Sequence, residues 1–172
     1  KVSAVVEEPV KIHLAASISK GDRMDYVIQK SVELGVSQIT PIFSEFSEVK
    51  IKNHVRLERK CAHWRRIARS SCEQCGRFFI PLVNPPVKFD EFVTNTEGLI
   101  LLDPSGKENL KSIKKNGVVC VVTGPEGGFS QNEIEMARKR GHVVKLGPRI
   151  LRAETAPVVA LAILQSEFGD LN

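Results

Sequence analysis

The stretch from Val118 to Gly128 limits most sharply what this chain can fold into. Residues Val118 to Thr123 form a continuous apolar, β-branched run, which is typical of a strand buried on both faces of a parallel sheet. Directly after it comes Gly124-Pro125-Glu126-Gly127-Gly128, with three glycines in five residues. Glycine has no Cβ, so the backbone N–H and C=O groups of such a loop can approach a ligand closely. The pattern predicts a strand that ends in either a ligand-binding loop or a plain tight turn.

A second glycine loop follows after one helix and one strand. Ser130 and Glu133 have the spacing of a capping box, so a helix is predicted to begin there and to end at Gly141. The next strand is predicted over His142–Leu146, and Gly147-Pro148-Arg149 comes directly after it. Because open α/β sheets bind ligands at the carboxyl ends of their strands, the two loops favour a site at that edge.

The residues that these loops lack narrow the kind of ligand. The first loop has neither the G-x-x-x-x-G-K-[ST] spacing nor a lysine that could meet β- and γ-phosphates, which argues against a nucleoside triphosphate. It also lacks the G-x-G-x-x-G order with an acidic residue about 20 positions further on, which argues against a dinucleotide. We therefore expect a ligand that is read mostly by backbone groups and carries little phosphate.

Four blocks of the sequence carry a resemblance to a known family. Two of them are GPEGGFSQNE, which starts at Gly124, and LGPRILRAETAP, which starts at Leu146. The other two are the segments Lys20–Ser47 and Trp64–Val83. Together they resemble the SPOUT-class RNA methyltransferases, specifically the ribosomal RNA small subunit methyltransferase E family, over nearly the whole chain.

The resemblance implies an α/β fold in which helices flank a mostly parallel sheet and the C-terminal part forms a trefoil knot. It also implies S-adenosylmethionine as cofactor, bound in the knot, and a homodimer. The implied activity is methylation of N3 of a uridine in 16S ribosomal RNA, with the small ribosomal subunit as partner. Nothing in composition or periodicity indicates the knot, because knotted chains are very rare.

The resemblance also implies site residues. The expected cofactor contacts are Leu102, Gly124, Pro125, Glu126, Gly128, Leu146, Gly147, Ile150, Leu151 and Thr155. Arg152 is the expected catalytic guanidinium, because negative charge develops on the ring carbonyl oxygens when uridine N3 loses its proton. A structural ion pair of Arg152 with Glu154 or Glu126 is the alternative. Either Glu154 or Glu126 could be the general base, and Thr155 is expected to cap the last helix rather than to act on the substrate.

Basic residues are candidates for contact with RNA. Arg23, Lys30 and Arg77, which lie in the segments that carry the resemblance, are the expected RNA-binding residues. A long helix is predicted over Asn53–Cys75, with one apolar face. Its opposite face would carry either RNA contacts or ordinary solvated charge. That basic face comprises Arg56, Arg59, Lys60, Arg65, Arg66 and Arg69. The net charge of +5 fits an acidic partner but does not identify one.

The rest of the chain completes one methyltransferase domain, expected over residues 9–172. Residues 1–8 read as a short strand, which we interpret as the remnant of an N-terminal β-rich RNA-binding domain or as a linker. The remaining strands are predicted over Lys11–Ala16, Ser37–Phe43, Arg77–Pro86 and Leu99–Leu102. The remaining helices are predicted over Asp22–Leu34, over Phe89–Thr94 and over Val158–Phe168.

The sequence argues against a membrane protein, a secreted protein and a metal-binding site. No apolar run approaches the roughly 18 residues of a membrane span, and no signal peptide is visible, so we expect a cytoplasmic protein. Cys72 and Cys75 have a metal-site spacing, but a structural zinc needs four ligands and the other cysteines stand alone. We therefore expect reduced thiols and no metal.

Two alternative functions remain at this stage. One is methylation of a ribose 2′-oxygen by the same fold, although its usual asparagine-glycine-arginine block is not evident. The other is a non-catalytic RNA-binding protein of ribosome assembly with a vestigial cofactor pocket. The intact glycine loops argue against the second.

Overall fold

The computed structural model describes residues 10–48, 53–113 and 117–171, so the strand expected over residues 1–8 lies outside the described part. Strands are β1 (Ile12–Ser17), β2 (Gln38–Phe43), β3 (Leu82–Val83), β4 (Val87–Lys88), β5 (Leu99–Leu102), β6 (Glu108–Asn109), β7 (Val119–Thr123) and β8 (Gly141–Lys145). Helices are α1 (Arg23–Glu33), α2 (His54–Cys75), α3 (Phe89–Thr94), α4 (Gln131–Arg138) and α5 (Thr155–Phe168).

The strands form one sheet whose described pairs are all parallel. Its order is β3-β2-β1-β7-β5-β8-β6, and β4 also pairs with β2. The predicted α/β fold with a parallel sheet is therefore confirmed. The order places β5 between β7 and β8, although β5 precedes both in sequence. The trefoil knot that the resemblance implies stays a prediction.

The central strands are buried on both faces. Alternate residues of β5 and β7 belong to two separate cores, with Ile100 and Val121 on one face and Leu101 and Val122 on the other. Helices α1, α2 and α5 cover the first face, and α3 and α4 cover the second. Burial on both sides explains why β5 and β7 read as unbroken apolar runs.

Helix α2 forms because its sequence supplies a cap, a stop and one apolar face. Asn53 accepts a hydrogen bond from the Arg56 backbone N–H at 3.1 Å, and Gly76 ends the helix in the left-handed conformation. The predicted apolar face is buried at Cys61, Trp64, Ala68 and Cys72. Helix α4 begins with the predicted capping box of Ser130 and Glu133.

The strand predicted over Arg77–Pro86 is wrong. Only Leu82–Val83 pairs with β2 within that range, and the apolar residues Phe78, Phe79 and Ile80 are exposed. The chain turns back at Arg77, whose Nη1 donates hydrogen bonds to the carbonyl oxygens of Val32 and Val36, at 3.0 Å and 2.9 Å. These bonds hold the start of the segment against the end of α1 and leave its apolar side chains outside the core.

In the described parts of the chain, no helix combines the length and the apolar character needed to cross a bilayer.

Candidate active site

Three loops meet at one edge of the sheet. Strands β7 and β8 both lie beside β5, with Leu102 in register with Thr123 on one side and with Val144 on the other. Since the three strands are parallel, the loops that follow Leu102, Thr123 and Lys145 leave the sheet side by side. This is the edge at which α/β sheets bind ligands.

The three loops and the segment before α5 enclose a cavity of about 830 Å³. Nearly all of the expected cofactor and catalytic residues line it, namely Leu102, Gly124, Pro125, Glu126, Gly128, Leu146, Gly147, Ile150, Leu151, Arg152 and Glu154. The lining also includes Arg23, Asp103, Phe129, Lys145 and Arg149. The sequence therefore identified most of a cavity whose parts lie far apart along the chain.

Thr155 is the exception among the expected cofactor contacts. It does not line the cavity but an adjoining depression of about 930 Å³, together with Lys20, Tyr26 and Glu48. It is also not the helix cap, because α5 begins at Thr155 and Glu154 occupies the N-cap position. At the start of α5 Thr155 faces the depression, whereas the next residue, Ala156, still lines the cavity.

The structure explains why glycine occupies several positions in the two loops. Gly128 and Gly147 have φ of +70° and +78°, a backbone conformation that residues other than glycine rarely adopt. A Cβ at either position would meet no atom within 4 Å, so both positions face open space. A Cβ at Gly124 would instead come within 3.1 Å of the Phe129 ring, which packs under the first loop. The loops therefore expose backbone to the cavity.

The cavity carries charges of both signs. Its cationic residues are Arg23, Lys145, Arg149 and Arg152, and its anionic residues are Asp103, Glu126 and Glu154. The guanidinium of Arg23 forms an ion pair with the Glu126 carboxylate. That hydrogen bond, followed by the attraction of the two charges, raises the pKa of Arg23 above its ordinary value. Such a lining suits a small ligand that itself carries both a cationic and an anionic group.

Arg152 lies at the exposed side of the cavity. Its side chain is 82% exposed, and its Nη1 is 3.9 Å from Oε1 of Glu154. The pair that was the structural alternative for Arg152 is thus present, but only as a long contact. In this conformation Arg152 is held only by that long contact, whereas Arg23 is held by the Glu126 carboxylate, and the catalytic role of Arg152 stays a prediction.

The three residues expected to bind RNA lie in different surroundings. Arg23 is in the cavity wall. Lys30 pairs with Glu33 at 2.8 Å on the surface of α1, and Arg77 holds the carboxyl end of the same helix. The structure does not bring the three together, and RNA contact by each stays a prediction.

Tyr26, Phe129 and Lys145 are among the residues at or beside the site that the sequence did not predict. Tyr26 lines the adjoining depression, Phe129 packs beneath Gly124, and Lys145 ends β8 in the cavity wall. The position of Phe129 directly after the glycine loop was the available signal. Tyr26 lies on a helix that precedes the loops by about a hundred residues in sequence, so no local pattern connects it with them.

The cysteines do not form a site in the described residues. Cys61, Cys72 and Cys120 are buried and Cys75 is exposed. Burial raises the pKa of the Cys120 thiol to about 12, which keeps it protonated and unreactive. Within residues 10–48, 53–113 and 117–171, no three His, Cys, Asp or Glu side chains are grouped so that they could hold a metal ion.

Comparison with known proteins agrees with the geometry. The family model described as RNA methyltransferase domain matches residues 6–165. Ribosomal RNA small subunit methyltransferase E of Buchnera aphidicola subsp. Schizaphis graminum is 43% identical over 172 residues, covering 97% of this chain and 70% of the relative. This chain belongs to the ribosomal RNA small subunit methyltransferase E family. The Bacillus subtilis member of the family is 31% identical, with 92% of this chain and 66% of the relative covered.

Solved structures of similar chains support the same placement. The methyltransferase E family member from Neisseria gonorrhoeae, solved bound to S-adenosyl methionine, superimposes with a TM-score of 0.91 at 37% identity. The match covers 99% of this chain and 71% of that one. A chain from Legionella pneumophila in complex with the bound cofactor SAM gives a TM-score of 0.90 at 43% identity, covering 96% and 69% of the two chains.

Proposed function

We propose that this chain transfers the methyl group of S-adenosylmethionine to N3 of a uridine in 16S ribosomal RNA of the small subunit. The observation that carries the proposal is the cavity at the ends of β5, β7 and β8, lined by both glycine loops. Relatives named ribosomal RNA small subunit methyltransferase E, and a relative solved with S-adenosyl methionine, support it. The homodimer, the cytoplasmic location and the division of the chain at residue 9 are part of the same proposal.

The residues of the cavity fit this cofactor. The volume of about 830 Å³ lies in the range of small-molecule sites, which span roughly 300–1,000 Å³. S-adenosylmethionine has a carboxylate, an ammonium and a sulfonium, so it matches a lining that mixes cations with anions. Its adenine and ribose can be read by the backbone that Gly128 and Gly147 expose, and the side chains of Leu102, Leu146 and Leu151 exclude water.

The chain's own task in the reaction is positioning and charge control. S-adenosylmethionine, when bound, supplies a methyl group that is already activated, so most of the catalysis is alignment. The glycine-loop backbone orients the ligand. The Glu154 carboxylate, 20% exposed, is the proposed acceptor of the proton that leaves uridine N3. Arg152 is the proposed partner of the negative charge that then develops on the ring oxygens.

The acceptor atom adds a requirement for the RNA. Uridine N3 lies on the base-pairing edge, so the target must be unpaired or turned out of its stack before it can react. A preference for structured RNA or a ribosomal particle over free uridine follows. Equal methylation of free uridine and of small-subunit RNA would contradict it.

The proposed function is tested in two steps. First, the chain is titrated calorimetrically with S-adenosylmethionine, with ATP and NAD in parallel, and saturable binding of S-adenosylmethionine alone is expected. Second, unmodified small subunits are incubated with the chain and labelled cofactor, and the modified nucleoside is identified by mass spectrometry. The expected product is 3-methyluridine. A ribose-methylated nucleoside would contradict the N3 assignment, and binding without any transfer would contradict the enzymatic one.

A further inference from the structure

The depression beside the cofactor cavity has the position that an acceptor site needs. It encloses about 930 Å³, and three of its residues, Arg23, Glu126 and Glu154, also line the cavity. The two spaces therefore share one wall. A flat ring that enters the depression comes next to whatever fills the cavity, and a methyl transfer requires that adjacency between donor and acceptor.

An aromatic side chain of α1 lies in this depression without serving the core. The apolar stripe of α1, with Met24, Val27 and Ile28, is buried, whereas Tyr26 is 44% exposed and lines the depression. The Nζ of Lys30 lies 5.9 Å from the centre of the Tyr26 ring. An exposed ring in the lining of an open depression can provide a stacking surface for a base, because every base has a π-face.

The charged groups around this ring suit a neutral pyrimidine with carbonyl oxygens. Arg23 is held at the shared wall by Glu126, so its remaining N–H groups have a defined direction. Lys20 pairs with Glu48 at another side of the depression, and Thr155 adds a hydroxyl. The depression thus combines a stacking surface with fixed donors. Its two cations, Lys20 and Arg23, are each paired with a carboxylate, so these groups recognise the ring and not the phosphates on either side of it.

We propose that the depression receives the target uracil ring of the RNA, turned out of its stack, with Tyr26 stacked on the ring and Arg23 directed at a ring carbonyl oxygen. This inference rests on the proposed function and adds the acceptor site to it. Tyr26 is then a substrate-binding residue, and Arg23 belongs to the acceptor side of the reaction as well as to the cavity wall.

The first test separates stacking from a general effect of surface aromatics. Three variants are compared with the unchanged chain: Tyr26→Leu, Tyr26→Phe and, as matched control, Phe78→Leu, which alters an 82% exposed ring outside both spaces. We expect Tyr26→Leu to lower kcat/KM for small subunits by about tenfold or more, Tyr26→Phe to recover most of it, and Phe78→Leu to have no effect. Calorimetry should give the same affinity for S-adenosylmethionine in all four proteins, and melting curves check the fold.

The inference is overturned if Tyr26→Leu turns over small subunits as well as the unchanged chain does. It is also overturned if Tyr26→Leu and Tyr26→Phe lose activity equally. Phenylalanine keeps the aromatic ring, so it should keep most of the activity if the ring stacks on the uracil.

A second test needs no turnover. Small-subunit RNA that contains 4-thiouridine is irradiated in complex with the chain and S-adenosylhomocysteine, and the crosslinked peptide is identified. A crosslink at Tyr26 or its neighbours in the depression supports the acceptor site even if no methyl transfer is seen, in which case only the proposed activity has failed. Crosslinks confined to other surfaces overturn the inference.

Discussion

The carboxylate of Glu133 accepts a hydrogen bond from the backbone N–H of Glu45, at 2.9 Å. Its second oxygen accepts a hydrogen bond from the backbone N–H of Ser130, also at 2.9 Å. Glu133 is buried, with 7% of its surface exposed. One carboxylate therefore ties the loop after β2 to the start of α4, and so fixes the far end of the glycine loop that lines the cavity.

Replacement of Glu133 by alanine should cost more stability than its place on a surface helix suggests. The buried N–H of Ser130 and the partly buried N–H of Glu45 would both lose a charged acceptor, which lowers the free energy of unfolding by about 3 kcal/mol. The matched control is Glu135→Ala on the same helix, whose exposed pair with Arg138 contributes about 0.5 kcal/mol or less. Urea unfolding of both variants measures the difference, and equal losses would contradict the role of Glu133.

Removal of the Arg152 guanidinium should affect transfer and leave cofactor binding intact. For Arg152→Ala we expect an unchanged affinity for S-adenosylmethionine and a rate of methyl transfer lower by two or more decades. Arg138→Ala, which removes an exposed guanidinium on α4, serves as the control and should transfer at the original rate. If Arg152→Ala also transfers at that rate, Arg152 has no catalytic role.

A side chain at Gly128 should block the cofactor. Its φ of +70° and the open space beside it mean that Gly128→Val both strains the loop and fills part of the cavity. We expect the affinity for S-adenosylmethionine to fall at least tenfold while RNA binding persists. Gly98 has a φ of +66° and equally open surroundings in the turn before β5, so Gly98→Val adds similar strain, about 1–2 kcal/mol, away from the cavity. Equal losses of affinity in both variants would show that strain alone is responsible.

His13 should make the fold sensitive to acid. Burial lowers its pKa from 6.5 to about 4, and its Nε2 lies 2.8 Å from the Thr40 hydroxyl oxygen. Above pH 6.5 the ring is neutral in both the folded and the unfolded chain. Between pH 6.5 and 4 only the unfolded chain gains the proton, so stability falls by about 3 kcal/mol over this window.

The measurement is urea unfolding at several pH values between 4 and 7. His13→Gln should remove this part of the pH dependence, whereas His54→Gln, at an exposed position on α2, should keep it. An unaltered slope in His13→Gln would contradict the assignment.

The basic face of α2 should contribute to RNA affinity through phosphates. Arg56, Arg59, Arg66 and Arg69 are exposed, and none of them forms an ion pair with an acidic side chain in the described part of the chain. The double variant Arg59→Gln/Arg66→Gln should reduce the slope of log K against log salt by about 2. Its control is Arg138→Gln/Arg140→Gln, which removes two arginines already paired with carboxylates.

Filter binding to small-subunit RNA over a salt series gives the slopes. If the two double variants have equal slopes, the face of α2 is a solvated surface, as the alternative interpretation holds.

Local signals were sufficient for most elements. Strand β5 and helix α3 have the predicted bounds, because glycine, proline and polar residues border short apolar runs there. The strand predicted over Arg77–Pro86, after α2, is wrong for a physical reason. Phe78, Phe79 and Ile80 read as a strand by type, but burial depends on whether a neighbouring strand is available, and only Leu82–Val83 reaches β2.

The separate segments of the site could be predicted from the sequence, but the way in which the fold brings them together could not. The rule that ligands bind at carboxyl ends of strands selected both glycine loops, and the resemblance to the family supplied Leu102. No sequence pattern states that β5 lies between β7 and β8, or that the start of α1 reaches the same edge. For that reason Arg23 was expected only as an RNA contact, Thr155 was expected at the cavity although it lines the adjoining depression, and Tyr26 was missed.

The strand order has a consequence for how the protein is made. Synthesis proceeds from the amino end, and nascent segments fold as they emerge. The cavity joins walls that follow β5, β7 and β8, and it closes only with the segment up to Ala156. A polypeptide that has been translated only as far as Lys145 already contains all the strands that the structure describes, yet it lacks the third wall. The cavity is therefore completed only late in translation. We expect a chain that ends before Ala156 not to retain the cofactor.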